Sequence, residues 1–197
     1  VRILVSQVLR IAGDFKGYEK IYFPHQMDFR GRVYPIPVLL QPQGSDLAKG
    51  LLHFAAGKQI DKESIKWLQI HGANLYGYDK CNYEDRVKWV LARHEEIKAY
   101  AHDPLNNRGW AEADKPFQFL AFCLEYTTYL DNPDDFTTHI PVQLDGTCNG
   151  LQHYSALLRD KAGGEAVNLI NTEIPSDIYA KVAKRLEEKL NEIQSNN

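Results

Sequence analysis

A mainly α-helical α+β fold is predicted by three observations on this 197-residue sequence. Helix-spaced apolar residues recur behind capping residues, strand-like stretches are few and short, and no repeat, linker or low-complexity run divides the chain. Together these describe helices packed on a small antiparallel sheet.

Taken in order, Ile21 to Phe23 is a short apolar stretch with strand character. Arg32 to Leu40 is extended, because Pro35 and Pro37 exclude a helix and confine it to an edge or irregular strand. Ser45-Asp46 cap an apolar series at Leu47, Leu51, Leu52 and Ala55, with Gly57 as a stop. Asp61 caps a second helix carrying Ile65, Trp67 and Leu68, which fades near Gly72 or Gly77. Asn82, Glu84 and Asp85 open a third, with Val87, Val90, Leu91, His94, Ile97 and Ala101 on one stripe. Pro116 suits the first position of a buried helix from Phe117 to Leu130. Ile140 to Leu144 alternates like a half-buried strand and meets the Asp145-Gly146 turn, after which Leu151 to Arg159 resumes as a helix. Ser176-Asp177 begin a last amphipathic helix with Ile178, Val182, Leu186, Leu190 and Ile193 inward and a solvated charged face.

The composition, 44% hydrophobic and 25% charged, is that of an ordinary globular protein and excludes a disordered tail or a fibre. A formal net charge of -3 does not announce a nucleic-acid binder. The longest apolar run, Phe119 to Leu124, is far short of the ~20 residues of a membrane span. Cys81, Cys123 and Cys148 are too widely spaced for a zinc knuckle or redox pair, and their odd number argues against a disulfide framework. Cys123 lies in the apolar run and reads as a small buried hydrophobe. The start at Val1 and the ending after a strong helical pattern suggest an excerpt of a longer polypeptide.

Chemistry concentrates in Ile140 to Asp160. A carboxylate at a strand end, Asp145, is followed by a glycine-flanked loop, Gly146-Thr147-Cys148-Asn149-Gly150, so that backbone carbonyls can approach a ligand. Mg²⁺ takes hard oxygen ligands and is often held by one or two carboxylates plus substrate phosphates, a task that suits Asp145 and the Gly146 carbonyl. An ordinary Asp-Gly turn fits the same residues. The run also resembles the Asp-x-Asp-Gly-Thr loop of aspartyl-phosphate hydrolases, but Gln143 occupies the nucleophile position and an amide cannot form the acyl phosphate. His94-Glu95-Glu96-Ile97-Lys98 lacks the second His of a zinc-protease helix. Cys148 and His153 have no evident orienting third group. If 28–32 is extended, Asp28, Arg30 and Arg32 share one face and the two guanidinium groups could grip phosphates; a structural ion-pair network fits these residues equally.

In combination, these segments resemble the single-subunit DNA-dependent RNA polymerases of phages and mitochondria over nearly the whole chain. The matching blocks are Phe23 to Tyr34, Gln43-Gly44-Ser45-Asp46 with Gly50-Leu51-Leu52, and Trp67 to Asn74. Asp103-Pro104-Leu105 with Trp110, and Lys115 to Glu125, follow. The strongest is Asp145-Gly146-Thr147-Cys148-Asn149-Gly150-Leu151-Gln152-His153-Tyr154, continued by Leu158-Arg159-Asp160 and Ala166-Val167-Asn168-Leu169.

The resemblance implies a partial palm region over 1–197. Its parts are an arginine motif (22–35), a helical insert (45–130), a metal-binding strand-turn-helix (140–160) and the start of a fingers-side helix (175–194). It implies a nucleotidyltransferase that adds ribonucleotides to an RNA 3′ end on a DNA template by two-metal phosphoryl transfer. Asp145 is then the catalytic carboxylate and, with the Gly146 carbonyl, a ligand of two Mg²⁺ ions. Arg30, Arg32, Gln152 and His153 would lie toward nucleic acid or nucleotide. Implied partners are template DNA, nascent RNA, ribonucleoside triphosphates and the remainder of a polymerase chain, with no membrane.

The family's second metal-binding Asp, in a downstream His-Asp pair before Ser, has no counterpart. His102-Asp103 is followed by Pro104 and reads as a decoy. The isolated chain is therefore expected not to polymerise RNA. A non-catalytic nucleic-acid-binding or partner-binding module retaining the palm fold is the alternative. Leu144 before Asp145 leans toward a phage protein acting in the cytoplasm of a bacterial host, and Pro24-His25-Gln26 toward a mitochondrial or plastid one.

Overall fold

The computed structural model describes residues 2–143 and 146–195. In chain order the elements are α1 (Arg2–Phe15), β1 (His25–Met27), β2 (Val33–Pro35), α2 (Asp46–Gly50), β3 (Lys58–Gln59), α3 (Ile65–Tyr76), α4 (Tyr83–Leu91) and α5 (His94–His102). A 3₁₀ turn (Gly109–Glu112), α6 (Pro116–Asp131), β4 (Thr137–Thr138), α7 (Asn149–Leu158), α8 (Lys161–Ala166) and α9 (Ile178–Ser195) follow. Two antiparallel pairs, β1 with β2 and β3 with β4, supply the sheet component. The mainly helical α+β expectation holds. The chain divides into two compact units, Val1–Asp79 with Tyr83–Val142, and Lys80–Asn82 with Gln143–Asn197.

The first unit is organised around α6. Phe119, Phe122, Cys123 and Tyr126 on this helix are wholly buried and pack with Leu68, Ala73 and Leu75 of α3, Val90 of α4 and Ile97 of α5. Burial raises the Cys123 thiol pKa far above its usual range, so it is the inert small hydrophobe its neighbours suggested. Pro116 takes the first position of α6, as expected. Lys115 before it offers no capping oxygen. The orphan amides are met from α2 instead: Asp46 accepts from Phe117 N at 2.7 Å and from Gln118 N at 3.3 Å. A smaller core of Val8, Leu40 and Ala48 joins α1 to α2.

Helix boundaries follow local chemistry. Ser45 Oγ accepts from Ala48 N, making the cap its sequence promised. This helix stops at Gly50, however, well before Gly57. Asp61 Oδ1 accepts from the amides of Glu63 and Ser64 and so caps the turn leading into α3. Gly77, at φ 105°, closes α3 with a bond from Tyr78 N to Ala73 O, a left-handed stop that a residue with a Cβ would resist. The single helix expected from Asn82 to Ala101 is two. The chain turns at Ala92–Arg93, where Arg93 N bonds to Val90 O and its guanidinium lies 4.4 Å from the Trp89 ring centre.

Three further expectations are corrected. Ile21 to Phe23 is not a strand; pairing begins at His25 because the register is set by the turn after Met27. Residues 140–143 form no strand either: Ile140 N donates to Thr138 Oγ1 and Pro141 has no N–H, so two successive ladder donors are lost. In the second unit, the α9 stripe expected to face inward is exposed, with Val182, Leu186, Leu190 and Ile193 each at 50–59%. Its period marks a packing face, and no described residue buries it.

Candidate active site

The loop between residue 146 and α7 is shaped by its backbone. Cys148, immediately before the helix, adopts φ 54° and ψ 67°, the left-handed region that L-residues other than Asn or Asp seldom occupy. Such residues cost on the order of 1–3 kcal/mol and persist where surrounding contacts over-determine them. Cys148 O accepts from Gln152 N at 3.1 Å, which starts the helix. α7 ends at Arg159, also left-handed at φ 53°, with Asp160 N bonded to Ser155 O.

Oxygen atoms crowd the face of residue 146. A Cβ there would meet Asn149 Oδ1, which would have to move aside, and would come to ordinary contact at 3.4 Å from Gln152 Oε1. Gln152 is oriented from its other end, where Nε2 donates to Val167 O at 2.8 Å. Two neutral side-chain oxygens beside an open backbone are the hard donors that Mg²⁺ prefers, and in donor chemistry the loop fits that ion. Among the described residues no three His, Cys, Asp or Glu side chains cluster as a metal site. Asp145, the carboxylate expected to hold the metal, lies outside the described residues together with Leu144.

Gly146 and Gln152 are thus brought together. His153 follows on α7, exposed, its side chain making no hydrogen bond or ion pair among the described residues. Sequence reasoning assigned no role to Asn168, yet this residue ties the loop down. Its Nδ2 donates to Thr147 Oγ1 at 3.1 Å and to Ser176 O at 2.8 Å, and its Oδ1 accepts from Ser176 N at 2.6 Å. Asn168 sits at φ 57°, and asparagine is a residue that tolerates this conformation; that tolerance was the one local signal available.

Arg30 and Arg32 belong to the other unit. Residues 28–31 are a turn between β1 and β2, not an extended run, with Gly31 at φ 78° supplying the left-handed position. The alternating-face reading of Asp28, Arg30 and Arg32 is corrected accordingly: a turn breaks the two-residue period. Asp28 pairs with Arg30 at 2.8 Å, and its pKa is lowered, first by the Arg30 side chain and further by the amides of Arg32 and Arg30. The ion-pair reading therefore describes Arg30. The Arg32 guanidinium is exposed and makes no hydrogen bond or ion pair among the described residues.

The discounted signals resolve as structure. His94 Nε2 lies 3.1 Å from Tyr126 OH, which also accepts from Gln69 Nε2, a polar chain inside the core. Asp103 accepts from the backbone and side chain of Asn106 and closes a turn. No helix of the described residues is long and apolar enough to cross a membrane.

Comparison with known proteins places the chain in one class, the DNA-dependent RNA polymerases. The DNA-dependent RNA polymerase family model matches residues 58–197. T7 RNA polymerase of Escherichia phage T7 is 47% identical over 189 residues, covering 96% of this chain and 21% of the relative. A mitochondrial DNA-directed RNA polymerase of Arabidopsis thaliana is 46% identical over 183 residues, covering 90% and 19%. One of Neurospora crassa is 41% identical over 186 residues, covering 93% and 13%. The chain belongs to the DNA-dependent RNA polymerase family, in its single-subunit phage and mitochondrial branch. It spans about a fifth of the length of the T7 relative.

Proposed function

We propose that this chain is the palm-region part of a DNA-directed RNA polymerase that extends an RNA 3′ end from ribonucleoside triphosphates on a DNA template. The observation that carries the reading is the oxygen-lined Gly146 loop, within a sequence segment that matches the family model. Asp145 and the Gly146 carbonyl would hold Mg²⁺. When bound, the metal stabilises charge on the attacking and leaving oxygens of the phosphoryl transfer. The chain's own part is to hold that loop rigid: Gln152 is anchored at Val167, and its Oε1 faces Gly146. Arg32 would contact a phosphate of template or transcript, whereas Arg30 is largely committed to the Asp28 turn. His153 would face the nucleic-acid side of α7.

The exposed apolar faces of α7 (Leu151, Leu157, Leu158) and α9 suit burial against the remainder of a longer polymerase chain. The nearly equal identities to phage and plant mitochondrial relatives support a bacterial-host or an organellar setting alike. Asp145→Ala in the complete polymerase tests the reading. Nucleotide addition should fall by orders of magnitude with template binding retained, and normal elongation would overturn the metal assignment.

A further inference from the structure

We propose that Asn168 is the positioning residue of the metal-binding loop, its carboxamide fixing Thr147 and thereby the Gly146 backbone that follows Asp145 in the chain. This rests on the polymerase reading above.

The geometry is that of a clamp. Ser176 engages the Asn168 carboxamide from both sides, donating its N–H to Oδ1 and receiving one Nδ2 hydrogen on its carbonyl. This two-point pairing sets the plane of the amide group and removes its rotational freedom. The second Nδ2 hydrogen is then aimed at a single acceptor, Thr147 Oγ1 at 3.1 Å. Only a carboxamide has the two donors and one acceptor in this arrangement; a carboxylate of the same shape would set an anion against the Ser176 carbonyl. The left-handed backbone of Asn168 swings its side chain back toward the loop, and Leu169 N and Ile170 N, bonded to Gly164 O, hold that turn in place. One residue earlier, Val167 O takes the Gln152 side chain, so two consecutive positions brace the loop and the first turn of α7. Partners that orient a metal-holding group typically govern metal affinity or activity by about 10–100-fold, without touching the ion.

The test uses the complete polymerase with Mg²⁺ as the probe. Asn168→Gly keeps the left-handed backbone and deletes the carboxamide, Thr147→Val deletes the hydroxyl alone, and Thr147→Ser restores it. Asn168→Gly and Thr147→Val should each raise the Mg²⁺ concentration for half-maximal nucleotide addition by about tenfold or more. Both should speed hydrogen exchange at the amides of residues 146–149, and Thr147→Ser should return both readouts toward the parent. Unchanged Mg²⁺ dependence and unchanged exchange in Asn168→Gly and Thr147→Val would overturn the proposal. Asp145→Ala, run in parallel, keeps the two ideas apart. If that variant elongates normally, the polymerase reading fails, and the exchange rates still decide whether Asn168 holds the loop.

Discussion

Asp28 and Arg30 form a two-tier contact in which one carboxylate acts as counter-ion and turn cap together. Its Oδ2 accepts from Arg30 Nε at 3.0 Å and Nη2 at 2.8 Å, while Oδ1 accepts from the amides of Arg30 at 2.9 Å and Arg32 at 3.0 Å. The two arginines of this hairpin are consequently unequal. Arg30 is ion-paired inside the turn, whereas the Arg32 guanidinium attracts Asp28 only through space and makes no ion pair among the described residues.

That inequality predicts a difference in salt dependence. In the complete polymerase, Arg32→Gln should reduce the slope of log affinity for nucleic acid against log salt by about one, the signature of a lost phosphate contact. Arg30→Gln should change the slope less and loosen the hairpin. Equal slope changes in titrations at several salt concentrations would show that the Asp28 pairing does not divide the roles.

The Asp46 carboxylate, reaching the first turn of α6 from α2, is a remote helix cap. It accepts from Gln118 Nε2 at 3.0 Å as well as from the two backbone amides. Asp46→Ala should cost about 1–2 kcal/mol, the range for loss of a helix cap, with Asp46→Asn losing less. Urea unfolding monitored by far-ultraviolet circular dichroism measures it, and a midpoint within error of the parent would refute the cap.

Gly72, on the buried face of α3, lies against the Phe122 ring, which a Cβ at 72 would overlap. Phe122 is fully buried and stacked on both Phe119 and Tyr126, so it cannot swing aside. Gly72→Ala should destabilise by about 1–3 kcal/mol despite alanine's better helix propensity. A raised melting temperature would mean that the ring relaxes.

His71 is a pH-sensitive element of the core. Burial, reinforced by the charge of Lys115, lowers its pKa from 6.5 to about 4. The unfolded chain therefore binds this proton more readily, and stability rises with pH between those values. It is lost as pH falls from 6.5 toward 4, by on the order of 3 kcal/mol at most, since each pKa unit is worth about 1.4 kcal/mol. Unfolding free energies measured across pH 4–7 should show this slope, and His71→Phe should flatten it.

Much of this architecture was readable from local chemistry. Ser45, Asp61, Gly77 and Pro116 mark helix ends because each meets a backbone requirement within a few residues of itself. The Asp145–Tyr154 block was readable as the strongest of the blocks that resemble the polymerase family. α1 was missed although Val8, Ile11, Ala12 and Phe15 have helical spacing. α8 was missed because Gly163 and Gly164 lie within it. The strand expected at Ile140 failed because alternation describes a residue's two sides, whereas a strand exists only beside a partner.

The sequence by itself determined the helical character, because capping and periodicity act over a few neighbouring positions, and it carried the family only through the resemblance of its motif blocks. Only the tertiary structure decided that Asp46 caps a helix some 70 residues away, that Asp28 claims Arg30, and that Asn168 holds Thr147. Each of these is a hydrogen bond whose value depends on where a distant backbone comes to rest, and spacing along the chain carries no record of that distance.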